Sequence, residues 1–375
     1  MNPPNDLVGH TVGYASHSVD YSHPADRRKF HYYLKHRAVQ FEQASLNQHY
    51  DLTYITSSAD IISWARKMEE SRRASMGGKF IFELCDAYLH SGGFEVKSAL
   101  RGLYRYVSGK SASLGLSYKK SLAKIIRLSD AVVCGSVEQK QMLEGLNDNV
   151  WEITDSFRDD LRSTKTSYEI DYRQVNVVWE GLASGNYKNF VMLRDVLSGA
   201  NGVKVNLHII SDKEYCLAGA RHACRATTDI LDRIFAGTNV SVYFYSWHRS
   251  TFSAIAASCD FALIPIPNDS LMKWKPENKL ILLWLLGLPV ICSGIPAYQR
   301  VMKNAGLDWV CESTSQWEEK LALLTGSQRR REEYIKTARQ YAQNNYGEIA
   351  VLNRWDHLLE SVLFGSGTLD VQRQS

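Results

Sequence analysis

The residues best placed to do chemistry are three lysines, Lys273, Lys275 and Lys279, in the stretch DFALIPIPNDSLMKWKPENKLILLWLLGLPVICSGIP at residues 260–296. This stretch reads in order as a buried strand, a polar loop, a helix start and a Gly-Leu-Pro turn into another strand. In an open α/β sheet, ligands lie outside the carboxyl ends of the strands, which puts the loop 267–276 where a ligand would bind. Free backbone N–H groups and the dipole of the helix start favour an anion there, and added ammonium groups suit a diphosphate. A solvated lysine face is the plainer account of the same residues.

Other groups of interest lie in the first half. KFIFELCDAYLH, residues 79–90, carries Asp86 at the end of an expected strand, followed by Tyr88 and His90. A carboxylate there is a candidate general base, or it caps the next helix. The loop in GYASHSVDYSHPADRR, residues 13–28, offers His17, Asp20 and His23 to a phosphate or an acceptor, and a plain surface loop fits as well. No Asp-x-Asp pair and no HExxH pattern occurs, so no catalytic metal is expected. Between Lys97 and Arg127 the basic residues are Lys97, Arg101, Arg105, Lys110, Lys119, Lys120, Lys124 and Arg127, with no acidic one. Such a strip suits anionic lipid headgroups or a lipid-pyrophosphate acceptor, or is simply a solvated helix face.

These residues need a scaffold. At 375 residues the chain is too long for one ordinary core and suits two domains. Hydrophobic residues make up 45% and charged residues 22%, which excludes disorder and fibrous repeats. A net charge of +4 is mild for a nucleic-acid binder, and no nucleic-acid partner is expected. The seven cysteines form no CxxC pair and several sit in apolar runs, so they read as small buried hydrophobes in a reducing compartment. The N-terminus lacks an export signal, and the longest apolar run, Leu280 to Leu286 and then Leu288 to Cys292, is too short to span a membrane. A cytoplasmic protein is expected, with peripheral contact at the inner face of a membrane as an option.

Short β-branched runs alternate with helical patterns, the signature of βα units on a parallel sheet. Strands are predicted at Thr11–Ala15, Leu52–Ile55, Phe80–Leu84, Ala131–Cys134 and Val150–Ile153, with helices at Pro24–Gln48, Ala59–Glu70, Tyr118–Leu128 and Val137–Leu146. A polar stretch, Ser156 to Gln174, reads as a linker. Strands resume at Val175–Trp179, Val205–Ile210, Val240–Tyr245, Phe261–Pro265, Pro289–Cys292 and Asp308–Cys311. Helices are predicted between them at Lys188–Leu197, Ala218–Phe235, Ser250–Ser258, Asn278–Leu286 and Ser315–Thr325, and the chain ends in helix-rich sequence, Ser327 to Leu363. The fold class is α/β, two tandem Rossmann-like domains, with a terminal helix bracing both.

The segment KPENKLILLWLLGLPVI resembles the K-x-x-N-K-L … G-x-P-V-I block of GT-B glycosyltransferases, above all those related to family 4, through Lys275, Asn278, Lys279, Gly287, Pro289 and Val290. VVWEGLASGNYKNFVMLRDVL, residues 177–197, resembles the opening of the donor domain in these enzymes. There Gly181 would let the backbone approach the phosphates and Lys188 would balance their charge, although Gly185 and Asn186 also suit an ordinary turn. SDAVVCGSVEQKQML with NVWEITDSF, and YSWHRSTFSAIAASCDFALIPIP, are similar to further parts, so the likeness covers about residues 128–300.

The resemblance implies residues 1–165 as an acceptor-side domain, 166–340 as the nucleotide-sugar domain, and 341–375 as a helix crossing back plus a tail. It implies a retaining, metal-independent transfer from a nucleotide-diphosphate sugar to a glycan or lipid-linked acceptor in surface polysaccharide assembly, without a further cofactor. Asp86 would orient acceptor or sugar while the leaving phosphate takes the acceptor proton. Family 4 enzymes usually carry two glutamates eight positions apart, and here those positions are Trp274 and Leu282. An altered donor pocket, another GT-B family, or a fold kept without activity would each account for this. A non-catalytic nucleotide-binding or partner-binding protein and a nucleotide-sugar epimerase are the rival functions.

Overall fold

The structure, a computed structural model, describes residues 9–84, 118–171, 173–184, 186–199, 203–216, 224–267 and 274–365. The chain divides into two units: Met1–Ser156, Trp274–Pro276 and Glu348–Ser375 form the first, and Phe157–Lys273 with Glu277–Gly347 form the second.

In the first unit β1 (Val12–Ala15) leads to α1 (Pro24–Arg28), α2 (Phe30–His36), β2 (Glu42–Gln43), β3 (Leu52–Thr56), α3 (Ile61–Arg73) and β4 (Lys79–Leu84). Then come α4 (Tyr118–Leu128), β5 (Ala131–Cys134), α5 (Val137–Leu143) and β6 (Val150–Glu152). The strands form one parallel sheet in the order β2-β1-β3-β4-β5-β6. Successive side chains point to opposite faces, so a strand covered on both sides reads as a continuous apolar run. Tyr14, Tyr54, Ile81 and Val133 enter an aromatic layer, while Ala15, Ile55, Phe82 and Cys134 enter a second layer with Met68, Leu122 and Ile125.

The second unit starts with β7 (Gln174–Glu180), α6 (Tyr187–Ser198), β8 (Lys204–Ser211), β9 (Glu214–Cys216), β10 (Cys224–Ala226) and α7 (Thr227–Phe235). It continues through β11 (Val240–Ser246), α8 (Phe252–Ser258), β12 (Phe261–Ile264), α9 (Asn278–Leu286), β13 (Val290–Ser293), α10 (Pro296–Asn304) and β14 (Val310–Cys311). Helices α11 (Thr314–Gly326) and α12 (Gln328–Tyr346) complete it. Its parallel sheet runs β11-β8-β7-β12-β13-β14, the Rossmann order in which the third strand is outermost and the chain reverses direction beside the first. After Gly347 the chain returns to the first unit as α13 (Glu348–Phe364). There Trp355 packs 5.4 Å from the Phe30 ring, and Asp356 pairs with Arg37 and accepts from the Tyr33 hydroxyl at 3.0 Å.

Three expectations change. The helix expected over Pro24–Gln48 breaks at Lys29, whose φ −123° and ψ −115° are not helical, and stops before Ala38, which takes φ +51°. Residues Glu42–Gln43 then pair with β1 as a strand. Of the helix expected over Ala218–Phe235, residues 218–223 lie outside the described residues, Cys224–Ala226 pairs antiparallel with β9 instead, and the helix runs from Thr227. That register sets Cys216 opposite Cys224, with Cα atoms 4.1 Å apart, and the two form a disulfide. The reading of every cysteine as a reduced, buried hydrophobe is therefore corrected at this pair, which an oxidising compartment favours. Cys134, Cys259, Cys292 and Cys311 are free and buried, and burial pushes the Cys134, Cys259 and Cys311 thiols up to about 12. Among the described residues no helix is long and apolar enough to cross a membrane.

Candidate functional site

In the second sheet the strand order reverses between β7 and β12, and a doubly wound sheet opens its ligand crevice at the carboxyl ends of such strands. The chain leaves β7 through Trp179, Glu180 and Gly181. Gly181 has φ +153°, and a Cβ placed there would lie 2.6 Å from Lys279 Nζ and 3.2 Å from the Trp179 ring. Only glycine leaves that space. Lys279, in the first turn of α9, donates to the Glu180 carbonyl and sits 4.9 Å from the centre of the Trp179 ring. The Ser211 hydroxyl donates to the Gly181 carbonyl at 2.7 Å, and Asp212 accepts the Ala183 N–H at 2.5 Å. Ser184 Oγ accepts the Cys216 N–H at 2.9 Å, so the disulfide hairpin also holds this loop.

Two helices start at this edge, and neither has a side-chain cap: Asn186 before α6 and Glu277 before α9 accept no bond from the first turn. Uncapped amides at a helix start are an anion site in waiting. Trp179 Nε1, Asn186 Oδ1, Asn189 Oδ1 and Asn278 Oδ1 are buried and lack a hydrogen-bond partner among the described residues. Buried polar atoms are rarely left so without reason. Lys188, the second residue of α6, is exposed. Glu277 is fully buried: Oε1 accepts from Arg300 and from the Tyr346 hydroxyl, each at 2.9 Å, while Oε2 has no partner among the described residues. Burial raises its pKa against the pull of Arg300.

The lysine cluster of the sequence is divided. Lys279 belongs to the second unit, Lys275 to the first, and Lys273 lies outside the described residues. Where the family pair of glutamates would stand, Leu282 is packed into the core at 2% exposure, and the Trp274 carbonyl accepts from Gln139 at 3.3 Å. Asp86, Tyr88 and His90 lie outside the described residues, as does the basic strip up to residue 117. Of the rest of that strip, Lys119 and Lys120 are exposed on α4 and Lys124 pairs with Glu69 at 2.9 Å.

The first sheet reverses between β1 and β3, and here His17 Nδ1 and Ser58 Oγ lie 2.6 Å apart across the switch point. The loop amides of His17 and Ser18 donate to the Asp26 carboxylate at 2.9 Å each, and the Tyr14 hydroxyl donates to it at 2.5 Å. Asp26 is wholly buried. Burial lowers the His17 pKa, opposed by the carboxylates of Glu83 and Asp26, and the His17 ring stacks on His23 at 4.8 Å. Asp20 points elsewhere, accepting from the N–H and hydroxyl of Ser22 at 3.1 and 2.8 Å. Beneath the loop, Lys29 and Glu83 form a buried ion pair at 2.9 Å, and the Tyr54 hydroxyl donates to Glu83 at 2.9 Å. Asp26, Lys29 and Glu83 were not singled out in the sequence, where nothing local marks them as partners.

No protein-family model matches the chain, and no curated protein matches it. Solved structures do. The Anabaena protein HepE, in complex with UDP and glucose, aligns at a TM-score of 0.59 and 14% identity over 94% of this chain and 100% of its own. A glycosyltransferase from Rickettsia africae aligns at 0.58 and 11% identity over 95% and 99%. A mutant of S. aureus TarM, in complex with fondaparinux, alpha-GlcNAc-glycerol and UDP, aligns at 0.55 and 11% identity over 82% of this chain. This chain spans 55% of the length of TarM. At such identities the likeness shows the fold, which is that of GT-B glycosyltransferases: two Rossmann-like α/β domains in tandem.

Proposed function

We propose that this protein transfers a sugar from a nucleotide-diphosphate donor to a glycan or lipid-linked acceptor in surface polysaccharide assembly. The observation that carries this reading is the carboxyl edge of the second sheet, where Lys279, Gly181 and two uncapped helix starts meet. In this reading the donor diphosphate lies over Gly181, facing the amides of α9 and the Lys279 ammonium, with the exposed Lys188 adding charge. As the glycosidic bond to phosphate breaks, negative charge grows on the leaving oxygen, and these fixed positive groups stabilise it.

Cationic groups that take up the charge of the leaving diphosphate support a metal-independent reaction. With the diphosphate accepting the acceptor proton and Asp86 orienting the acceptor or the sugar, the outcome is retaining. Lys275 is assigned to the donor on the resemblance, and His17 with Asp20 to the acceptor or a phosphate from the polar character of their loop. The exposed Lys119 and Lys120 suit peripheral contact with anionic lipid at the inner face of a membrane.

The test is a thermal-shift series with UDP, GDP, ADP, CMP and dTDP sugars, followed by release of free nucleotide from the donor that binds. One donor should raise the unfolding temperature and be turned over, and Lys279→Met should remove both effects. Binding without turnover for any acceptor class would leave a nucleotide-binding protein, and no binding at all defeats the proposal. In the same series, Lys119→Glu with Lys120→Glu should free the protein from anionic vesicles; unchanged sedimentation removes the membrane contact.

A further inference from the structure

We propose a second small-molecule site on the second unit, at the amino end of its sheet, built on Lys165 and Asp260 and suited to a short zwitterion carrying one ammonium and one carboxylate. A cavity of about 410 Å³ opens there, lined by Thr164, Lys165, Glu169, Asp171, Asn176 and Asp260 among others. Asn176 lies near the start of β7 and Asp260 immediately precedes β12, whereas Gly181 and Lys279 belong to the carboxyl edge. The two sites are therefore at opposite ends of the same strands.

Lys165 is 7% exposed. Its backbone is fixed by an N–H bond to the Leu286 carbonyl at 2.8 Å. Its ammonium makes no hydrogen bond or ion pair among the described residues, and the Tyr168 ring, 5.7 Å away, is its recorded neighbour. The stem of Lys165 is buried while its ammonium is not sealed from solvent, which leaves the charge open to the cavity. Burial lowers the Lys165 pKa, and Asp260 partly restores it. Asp260 is 5% exposed and accepts the Asn176 N–H at 2.7 Å; burial raises its pKa. Opposite charges thus line one cavity without forming an ion pair with each other.

The charge pattern selects the occupant. A carboxylate entering the cavity gives Lys165 its missing acceptor. Asp260, with Glu169 and Asp171 on the exposed rim, would receive an ammonium, and against Lys165 and the nearby buried Arg331 they still leave an excess of negative charge that disfavours a phosphate dianion or a nucleotide. A short amino acid satisfies both ends at once.

The experiment is isothermal titration of the full chain with glycine, β-alanine and 4-aminobutyrate, whose charges lie at increasing separation, against acetate, ethylammonium and inorganic phosphate. One zwitterion should bind at least about tenfold tighter than acetate or ethylammonium, and phosphate should give no binding heat. Lys165→Met should abolish that binding, and Glu169→Gln with Asp171→Asn, on the exposed rim, should weaken it several-fold without unfolding the protein. Donor binding should be unchanged in both variants. The proposal is overturned if no zwitterion binds at millimolar concentration, if the single-charge probes bind equally well, or if neither variant weakens binding. Should Lys165→Met fail to fold, an unaltered affinity in the rim variant overturns it on its own.

Discussion

At the carboxyl edge of the first sheet, the loop after β1 gives the amides of His17 and Ser18 to Asp26, a carboxylate of its own chain. At the equivalent edge of the second sheet, the loop after β7 carries glycine at the point of closest approach, beside a lysine and two uncapped helix starts. The first switch-point loop thus forms a nest already filled, whereas the second lies beside an ammonium and two helix starts without side-chain caps. Polar residues at a sheet edge are therefore a poor guide to a ligand unless their partners are known. In the first unit the loop amides find an internal carboxylate, and the network reads as support for the fold; in the second, Asn278 Oδ1 is buried without a partner among the described residues, as Thr154 Oγ1 and Ser156 Oγ are in the first.

The strongest way to break this contrast is through Lys29. Lys29→Met leaves the Glu83 carboxylate buried with its ammonium partner gone, a change that costs about 3–5 kcal/mol in comparable sites. For a unit of this size that lowers the unfolding temperature by on the order of 10 °C, read by calorimetry. Adding Glu83→Gln removes the stranded charge and keeps an acceptor for Tyr54, so most of the loss should return. Nucleotide binding should hold throughout. If instead stability is unchanged and ligand binding disappears, the first network is a ligand site and the contrast collapses.

The second unit should respond in the opposite sense. Gly181→Ala sets a methyl 2.6 Å from Lys279 Nζ, the flexible end of a side chain, so the fold can yield by moving the ammonium off the Glu180 carbonyl. Nucleotide affinity should fall by about ten- to a hundredfold, the range for losing a charged hydrogen bond, and because alanine at φ +153° beside the Trp179 ring is strained, the unfolding temperature should fall too, by less than in Lys29→Met. Equal affinity in the variant would mean that the diphosphate does not lie over Gly181.

How far the sequence discloses all this depends on whether the cause is local. Runs such as AVVC and FALI become central parallel strands because their apolar side chains suit both covered faces, and the alternation with helices announces two Rossmann-like units. The stretch after Pro24 misleads because its helical pattern continues past Ala38, where the backbone turns left-handed, into Phe41, which packs on the aromatic layer from a different element. The disulfide depends on a two-strand register that eight residues of spacing do not reveal. In the candidate site, the lysine cluster is visible in one line of sequence, but its division between units is not. Glu180 and Lys279 are 99 positions apart, and Lys165 and Asp260 are as remote, so their meeting is a property of the sheet.

The smallest expected effect sharpens the comparison from the side of the filled nest. Burial lowers the His17 pKa below that of a free histidine, despite the opposing carboxylates of Glu83 and Asp26. The native state therefore resists protonation there more than the unfolded chain does, and the unfolded state binds more protons as pH falls through the ordinary histidine range. By linkage, stability contributed at His17 is present above that range and lost below it. His17→Gln offers a neutral amide to Ser58 and cannot titrate, so its stability should fall less steeply than the native protein's between about pH 7 and pH 5. Denaturant unfolding at stepped pH reads the difference in slope. Parallel slopes would show that His17 titrates as if in water, and the first edge would then be more open to solvent, and to ligands, than its internal bonding implies.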